Sequence, residues 1–392
     1  MQRLDIRQWP VPDRILLVTV GVLLAIGLLM VTSASITLAD RNFGNPLHYL
    51  ERQLVAAAMG LGVAAVVLLL PTGRWLEAGP WLPWLAIGLL VLVLVPGLGH
   101  TVNGSTRWLR VGGVNLMQVS EPARLLLLVY VASYVVRHGA GLRGSFAGFL
   151  RPLLPVTLAC ALMMAQPDFG ATVLLACIVL AVLFTGGARL RELLLVGGTA
   201  VAGLVLLALA SPYRLARLTG FMDPWADPFN SGFQLTQSLI AIGTGEWLGL
   251  GLGASVQKMF YLPEAHTDFV FAVIAEEFGL VGSVVILLLY ATLVWRALAI
   301  AQSAAERERV FQANLAFGLA VWLGVQVFIN IGVNMGVLPT KGLTLPLLSY
   351  GRSSLLVTLA ALALLLRIDL ENRGLVSAEA RRRRPVARGG RG

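Results

Sequence analysis

The residues able to move a proton or hold a phosphate are few and unevenly placed along this chain. The run Tyr261-Leu262-Pro263-Glu264-Ala265-His266-Thr267-Asp268-Phe269 ends where a long apolar stretch begins, so Asp268 stands at the mouth of a helix. Two roles fit that position. One is an N-terminal cap or dipole partner; the other is a partly desolvated carboxylate whose raised pKa suits it to accept a proton. Glu276 and Glu277 follow about 12–14 Å deeper at 1.5 Å rise per residue. Ionisable groups at such a depth point to function by default, with paired or hydrogen-bonded structural glutamates as the alternative.

Cations and amides that suit a phosphate or a sugar occur around the same end. Lys258 and Lys341 are the two lysines of an arginine-rich chain, and as compact, hydrated cations they suit phosphate contact. Arg107, Arg110, Arg214 and Arg352 are further candidates; snorkelling or loop solvation is the competing role for each. Gln326, Asn330 and Asn334 fall at i, i+4 and i+8, one polar stripe that serves helix pairing as well as ligand binding. Gln234, Gln237 and Ser238 share one side of a helical-looking stretch, and Gly249, Gly251 and Gly253 then provide a turn that can approach another backbone closely. Ser120-Glu121-Pro122-Ala123-Arg124 opens another helix. Arg124 lies at that helix's positive end and needs an anion, either Glu121 or a bound phosphate.

What must position these groups is a membrane domain. Of 392 residues, 57% are apolar and 13% charged, and the mean hydropathy is +0.80, outside the range of soluble domains. With about 20 apolar residues needed per span, the chain predicts an all-α, polytopic protein of about ten transmembrane helices, near 15–37, 52–70, 81–96, 120–136, 152–165, 169–186, 193–211, 269–295, 310–334 and 347–367. The first is too long for a signal-peptide core and lacks a convincing cleavage site, which predicts a retained helix. Most of the 30 basic residues fall in connections on one side, predicting both termini in the cytoplasm. Residues 1–14 then form a cytoplasmic segment, 15–367 the membrane domain, and 368–392 a basic, disordered cytoplasmic tail. The net charge of +10 is chiefly an orientation signal, and without a folded basic face nucleic acid is not an expected partner. Cys160 and Cys177 lie in apolar runs and offer neither a disulfide framework nor a metal site.

On the opposite, outer side the connection 212–268 is by far the longest, and a loop of that length is usually functional or disordered. Its aromatics, among them Trp225, Phe229, Trp247 and Tyr261, interleave with glycine and proline as in a layer at headgroup level.

In order along nearly the whole chain, several strings resemble the SEDS family (shape, elongation, division and sporulation). They are Asn103-Gly104-Ser105-Thr106-Arg107-Trp108-Leu109, Ser120-Glu121, Gln166-Pro167-Asp168-Phe169-Gly170, Gln237 to Gly243, Glu264 to Phe269, Glu276-Glu277-Phe278-Gly279, Leu338-Pro339-Thr340-Lys341-Gly342 and Ser349-Tyr350-Gly351. The run Pro339 to Pro346 resembles the division branch rather than the elongation branch. The resemblance implies a ten-helix peptidoglycan glycosyltransferase that polymerises lipid II at the outer face of the bacterial inner membrane, at the division septum. Its implied partners are a class B penicillin-binding protein and other division proteins.

The family's essential aspartate corresponds to Asp268, the expected general base. Lys341, Arg107, Glu121, Lys258, Arg214, Gln237, His266, Asn330 and Ser349 are the expected substrate-binding residues, and Asp168, Glu276 and Glu277 the expected structural support. A divalent cation, magnesium or manganese, would be held largely by the substrate's phosphates; no protein metal ligand and no organic cofactor is expected. Three departures from the family pattern are Arg352 for a second glycine, Arg124 for a common lysine, and Glu246 in a usually glycine-rich stretch. A lipid II flippase and a non-catalytic division scaffold are the rival readings. Motifs crowded at one face, rather than at the bilayer midplane where transporters bind, favour surface chemistry.

Overall fold

The computed structural model describes residues 12–102, 104–112, 114–209, 221–230, 232–259, 261–339 and 342–374. Helices dominate: α1 (Arg14–Phe43), α2 (His48–Leu69), α3 (Thr72–Ala78), α4 (Leu82–Leu92), α5 (Ser120–Gly144), α6 (Phe146–Leu150), α7 (Leu153–Ala165), α8 (Phe169–Thr185), α9 (Leu190–Leu209), α10 (Phe233–Thr244), α11 (Val270–Ala305), α12 (Val310–Asn334) and α13 (Arg352–Asn372). Helix is found at all ten expected places. Among the described residues seven helical segments (α1, α2, α5, α6 joined with α7, α11, α12 and α13) are long and apolar enough to cross a bilayer, or eight if α3 and α4, bent by 69° at their junction, make one broken span. Helix α8 is apolar but shorter, so among the described residues length and composition alone pick out seven or eight of the ten expected spans.

Local chemistry sets several helix ends. Asp13 caps α1 by accepting from the Leu16 N–H, and Gly44, left-handed at φ 64°, closes it. Asp168 caps α8 through the Ala171 N–H. The cap at Asp168 is cut off from α7 by Pro167, which lacks an N–H and stops the preceding helix.

Helix α13 is the centre of the bundle: 94% of its apolar window is buried, against 33% for α1 and 28% for α2. It packs most extensively on α2, while α11 packs on α12 and α1. Apolar side chains left exposed on α1, α2, α9 and α11 face outward as a lipid-contacting surface requires. At the arginine-rich end the helices are tied by charge. Arg296 of α11 donates to Asp13, Asp13 N–H donates to Asp369, Arg373 pairs with Asp369, and Arg367 and Thr72 both donate to Glu371. Helix α13 thus runs beyond the expected boundary at 367, and residues 375–392 of the basic tail lie outside the described residues.

One element departs from an all-helical reading. Residues of the 97–119 connection form a three-stranded antiparallel sheet of β1 (Gly99–Val102), β2 (Ser105–Val111) and β3 (Val114–Gln118), in sequence order. Val102 pairs with Ser105 and Val111 with Val114, so both hairpins turn over two residues. Such turns favour Asn-Gly and Gly-Gly, the residues at 103–104 and 112–113.

Candidate active site

Asp268 does not cap its helix. The cap position of α11 is Phe269, with no side-chain bond, while Asp268 ends a turn in which its N–H and that of Phe269 both donate to the Glu264 carbonyl. The main chain of Asp268 is gripped from α12: Asn330 and Asn334 each donate from Nδ2 to its carbonyl at 3.0 Å. Asn334 Oδ1 also accepts from the Ala272 N–H at 3.1 Å. The polar stripe of α12 therefore holds the first turn of α11, leaving the Asp268 carboxyl group to face what surrounds it.

What surrounds it comes from three distant parts of the chain. A Cβ added at Gly342 would lie 3.3 Å from Asp268 Oδ2 and 4.0 Å from Arg107 Nη1. Gly342, Asp268 and Arg107 thus border one small space that a side chain at 342 would invade. Arg107, carried on β2, sits 3.5 Å from Asp168, and Asp168 is itself fixed by the Ser120 hydroxyl at 2.9 Å and Gln118 Nε2 at 3.3 Å. The sheet is anchored in turn by the Gln118 N–H donating to Ser353 and by Arg352 donating to the Asn115 carbonyl.

Burial, then Glu264 and Asp168, push the Asp268 carboxyl up from 3.8 to about 7, while Arg107 acts in the opposite sense. Asp268 stays half-exposed, so it is crowded by protein yet reachable. A carboxyl group that titrates near neutrality beside a cation is equipped to take a proton from a substrate hydroxyl.

Comparison with known proteins settles the lineage. Residues 13–374 match the cell cycle protein family model of FtsW, RodA and SpoVE. The chain belongs to the FtsW/RodA/SpoVE family. It is 55% identical over 94% of its length, and 92% of the relative's, to a probable peptidoglycan glycosyltransferase FtsW of Thioalkalivibrio sulfidiphilus. It is 52% identical to one of Nitrosococcus halophilus, over 93% of this chain and 94% of that one. Among solved structures it is similar to a chain of a peptidoglycan synthase complex that couples polymerization and crosslinking, with TM-score 0.74 and 33% identity over 93% of this chain and 99% of that chain. It is also similar to the rod shape determining protein RodA of Thermus thermophilus, with TM-score 0.69 and 30% identity over 93% and 98%.

Within this FtsW/RodA/SpoVE chain, the residues expected to bind substrate divide by where they lie. Arg107 is at the Asp268 site. Lys341, which precedes Gly342 in sequence, and Arg214 lie outside the described residues. Lys258 requires a correction: it is not a hydrated outer cation but is buried in an ion pair with Glu277 at 2.7 Å, bonded also to Ser33. Glu121 is likewise internal, 3.0 Å from Arg124. Arg124 bonds Gln326 and lies 4.9 Å from the Trp322 ring centroid, so its required anion is Glu121. Asn330 uses both amide hydrogens internally, on Asp268 and Leu343, and Ser349 accepts from the Leu345 N–H within a turn. These two hold the backbone around the site.

His266 is buried among Tyr49 and Tyr350; burial lowers its pKa against the opposing pull of Glu264. Gln237 is half-exposed on α10, next to Ser238, whose hydroxyl donates to the Asn334 carbonyl. Asp168, Glu276 and Glu277 all occupy buried hydrogen-bonded positions. Glu276 accepts from Ser255 and from the Val256 N–H.

Two of the departures have plain physical readings. Gly351 is extended at φ 177° and Arg352 begins α13, so that turn asks for no second glycine. Glu246 has a left-handed φ of 44°, the conformation glycine adopts without cost. The contribution of Glu264 to the electrostatics of Asp268 went unread in sequence, although its spacing of four residues on a turn before the helix was the available signal.

Proposed function

We propose that this chain is a peptidoglycan glycosyltransferase that polymerises lipid II for septal wall synthesis, with Asp268 as general base. The observation that carries the reading is one crowded carboxyl group titrating near 7, set within a space bounded by Gly342 and Arg107. The activity class is that of its relatives, named as probable peptidoglycan glycosyltransferases and more than 50% identical over most of their length.

In the reaction, the Asp268 carboxylate accepts the proton of the acceptor sugar's 4-hydroxyl. That oxygen forms a bond to the donor's anomeric carbon as the bond to the lipid pyrophosphate breaks. Arg107 places positive charge where the leaving pyrophosphate gathers negative charge, and Lys341 is the second cation assigned to this task. Among the described residues no three His, Cys, Asp or Glu side chains converge as a metal-binding group. A divalent cation would be held chiefly by the pyrophosphate, where it would neutralise charge on the leaving group.

The Asp268 end faces outward and the arginine-rich end faces the cytoplasm; the distribution of basic connections supports this orientation. The chain's partner is a class B penicillin-binding protein that cross-links the strands. Support comes from its likeness to a chain of a peptidoglycan synthase complex. Purified chain carrying Asp268→Asn, supplied with lipid II and the cross-linking partner, is expected to make no glycan polymer. Normal strand synthesis by that variant overturns the assignment.

A further inference from the structure

Helix α11 is broken. At Gly279 the backbone turns to φ 66°, ψ −161°, cutting an outer stub, Val270–Phe278, from the long remainder. The hydrogen bonds lost at the break are replaced by the outer loop. Leu250 and Gly251 N–H groups donate at 3.0 Å to the carbonyls of Glu276 and Glu277, while Leu280 and Val281 donate to the carbonyls of Glu246 and Trp247. The fit is close enough that a Cβ at Gly249 would lie 2.2 Å from the Glu277 oxygen, and one at Gly279 would lie 2.5 Å from the Gly249 nitrogen.

The stub is consequently not a rigid continuation of the membrane helix. Its position is set by whatever grips it from the side, and it carries Asp268 at its outer end. Asn330 and Asn334 hold the top. At the bottom, Glu276 binds loop residues Ser255 and Val256, and Glu277 Oε1 accepts both Lys258 Nζ and the Ser33 hydroxyl at 2.7 Å. Lys258 Nζ also donates to Ser33 at 2.9 Å, which closes a three-way contact between loop, stub and α1. The ion pair is buried, with side-chain exposures of 3% and 0%.

A buried ion pair is a poor way to gain stability, since desolvation offsets most of the attraction and an apolar replacement often serves as well. Its strength is direction: one short contact between two charges admits little sliding, and here it ties the stub to α1. We propose that Lys258 and Glu277 are positioning residues for the reaction, their pair with Ser33 fixing the α11 stub so that Asp268 is held at the right place relative to Arg107 and Gly342. This rests on the general-base reading of Asp268. A misplacement on the order of 1 Å at a reacting group can lower a rate by about 100-fold, so small slack in the stub is enough to matter.

The test compares full-length Glu277→Gln, Lys258→Met and the double Lys258→Met/Glu277→Gln. Each is assayed for thermal stability, for lipid II polymerisation with the cross-linking partner, and for amide exchange. The single variants strand one polar partner and should lose stability. In the double variant the melting temperature should return close to the parent's, whereas kcat should stay about tenfold or more down with KM for lipid II within about threefold, the pattern of a lost transition-state arrangement. Amides of Leu250, Gly251, Leu280 and Val281 should exchange faster. A double variant with parental melting temperature and parental kcat overturns the proposal. Should the double fail to fold, Ser33→Ala decides, because it removes the shared hydroxyl without stranding a charge. A lowered kcat at unchanged KM supports positioning, and an unchanged kcat overturns it. Asp268→Asn run in parallel separates the two ideas: its normal activity sinks the general-base reading, whereas exchange at the break and the split between stability and kcat judge the role of Lys258 and Glu277.

Discussion

Acidity is the sharpest handle on this site, and its consequence for rate can be worked out directly. With Asp268 titrating at about 7 and active as the carboxylate, the competent fraction is about one tenth at pH 6, about one half at pH 7 and about nine tenths at pH 8. The kcat/KM for lipid II polymerisation should therefore rise about tenfold between pH 6 and 8 and then level off. Glu264 is the neighbour to remove, because after burial it is the largest influence raising this group. Its carboxylate already accepts from the Thr267 hydroxyl at 2.7 Å. Replacing it as Glu264→Gln keeps size and hydrogen-bonding capacity while deleting the charge. The limb should then move to lower pH and the pH 8 to pH 6 ratio should shrink toward one. The assay is initial-rate glycan synthesis by purified chain with its cross-linking partner, across pH 5.5–8.5 at constant ionic strength, since long-range charge effects are screened by salt. A parental profile flat from pH 6 to 8, or a Glu264→Gln limb displaced upward, refutes the reasoning.

Stability should report the same group. A carboxyl whose pKa is raised on folding binds more protons in the native state, so stability declines as pH climbs from about 4 to about 7 and is level above that; Asp268→Asn should raise the melting temperature at pH 8 and leave it unchanged at pH 3.5. Arg107→Gln removes the influence that lowers the Asp268 pKa, so its pH–rate limb should shift upward while KM for lipid II rises through lost phosphate contact. Asn334→Leu removes one hydrogen bond from the Ala272 N–H, which keeps the Phe269 carbonyl, and one from the Asp268 carbonyl, which keeps Asn330, and should cost about 0.5–1.5 kcal/mol for each bond lost, read by thermal unfolding. Gly249→Ala places a methyl group against the Glu277 carbonyl at a left-handed φ of 79°, and should lower both the melting temperature and the polymerisation rate.

What the sequence settled by itself was whatever depends on neighbours along the chain. Ten apolar stretches, the basic connections between them and the motif strings sufficed for a helical membrane protein of this family, because hydropathy and helix period are local properties. Asp268 stood out for the same reason, as a carboxylate at the edge of an apolar run, as did the Gln326, Asn330 and Asn334 stripe. The hairpins at 99–118 also carry a local signal, the Asn-Gly and Gly-Gly pairs that join their strands in sequence. What no local pattern contains is which distant group a charge meets. Lys258 and Arg107 are both cations beside aromatic residues in the two longest connections. One is buried on Glu277 because the loop folds into the break of α11, and the other reaches the Asp268 site because β2 carries it there. Whether Asp268 was cap or free carboxylate also depended on tertiary contacts, since the asparagines that hold its carbonyl come from the following helix. In a low-dielectric interior the energy of a charge is set by its partner's distance, and that distance is a property of the fold.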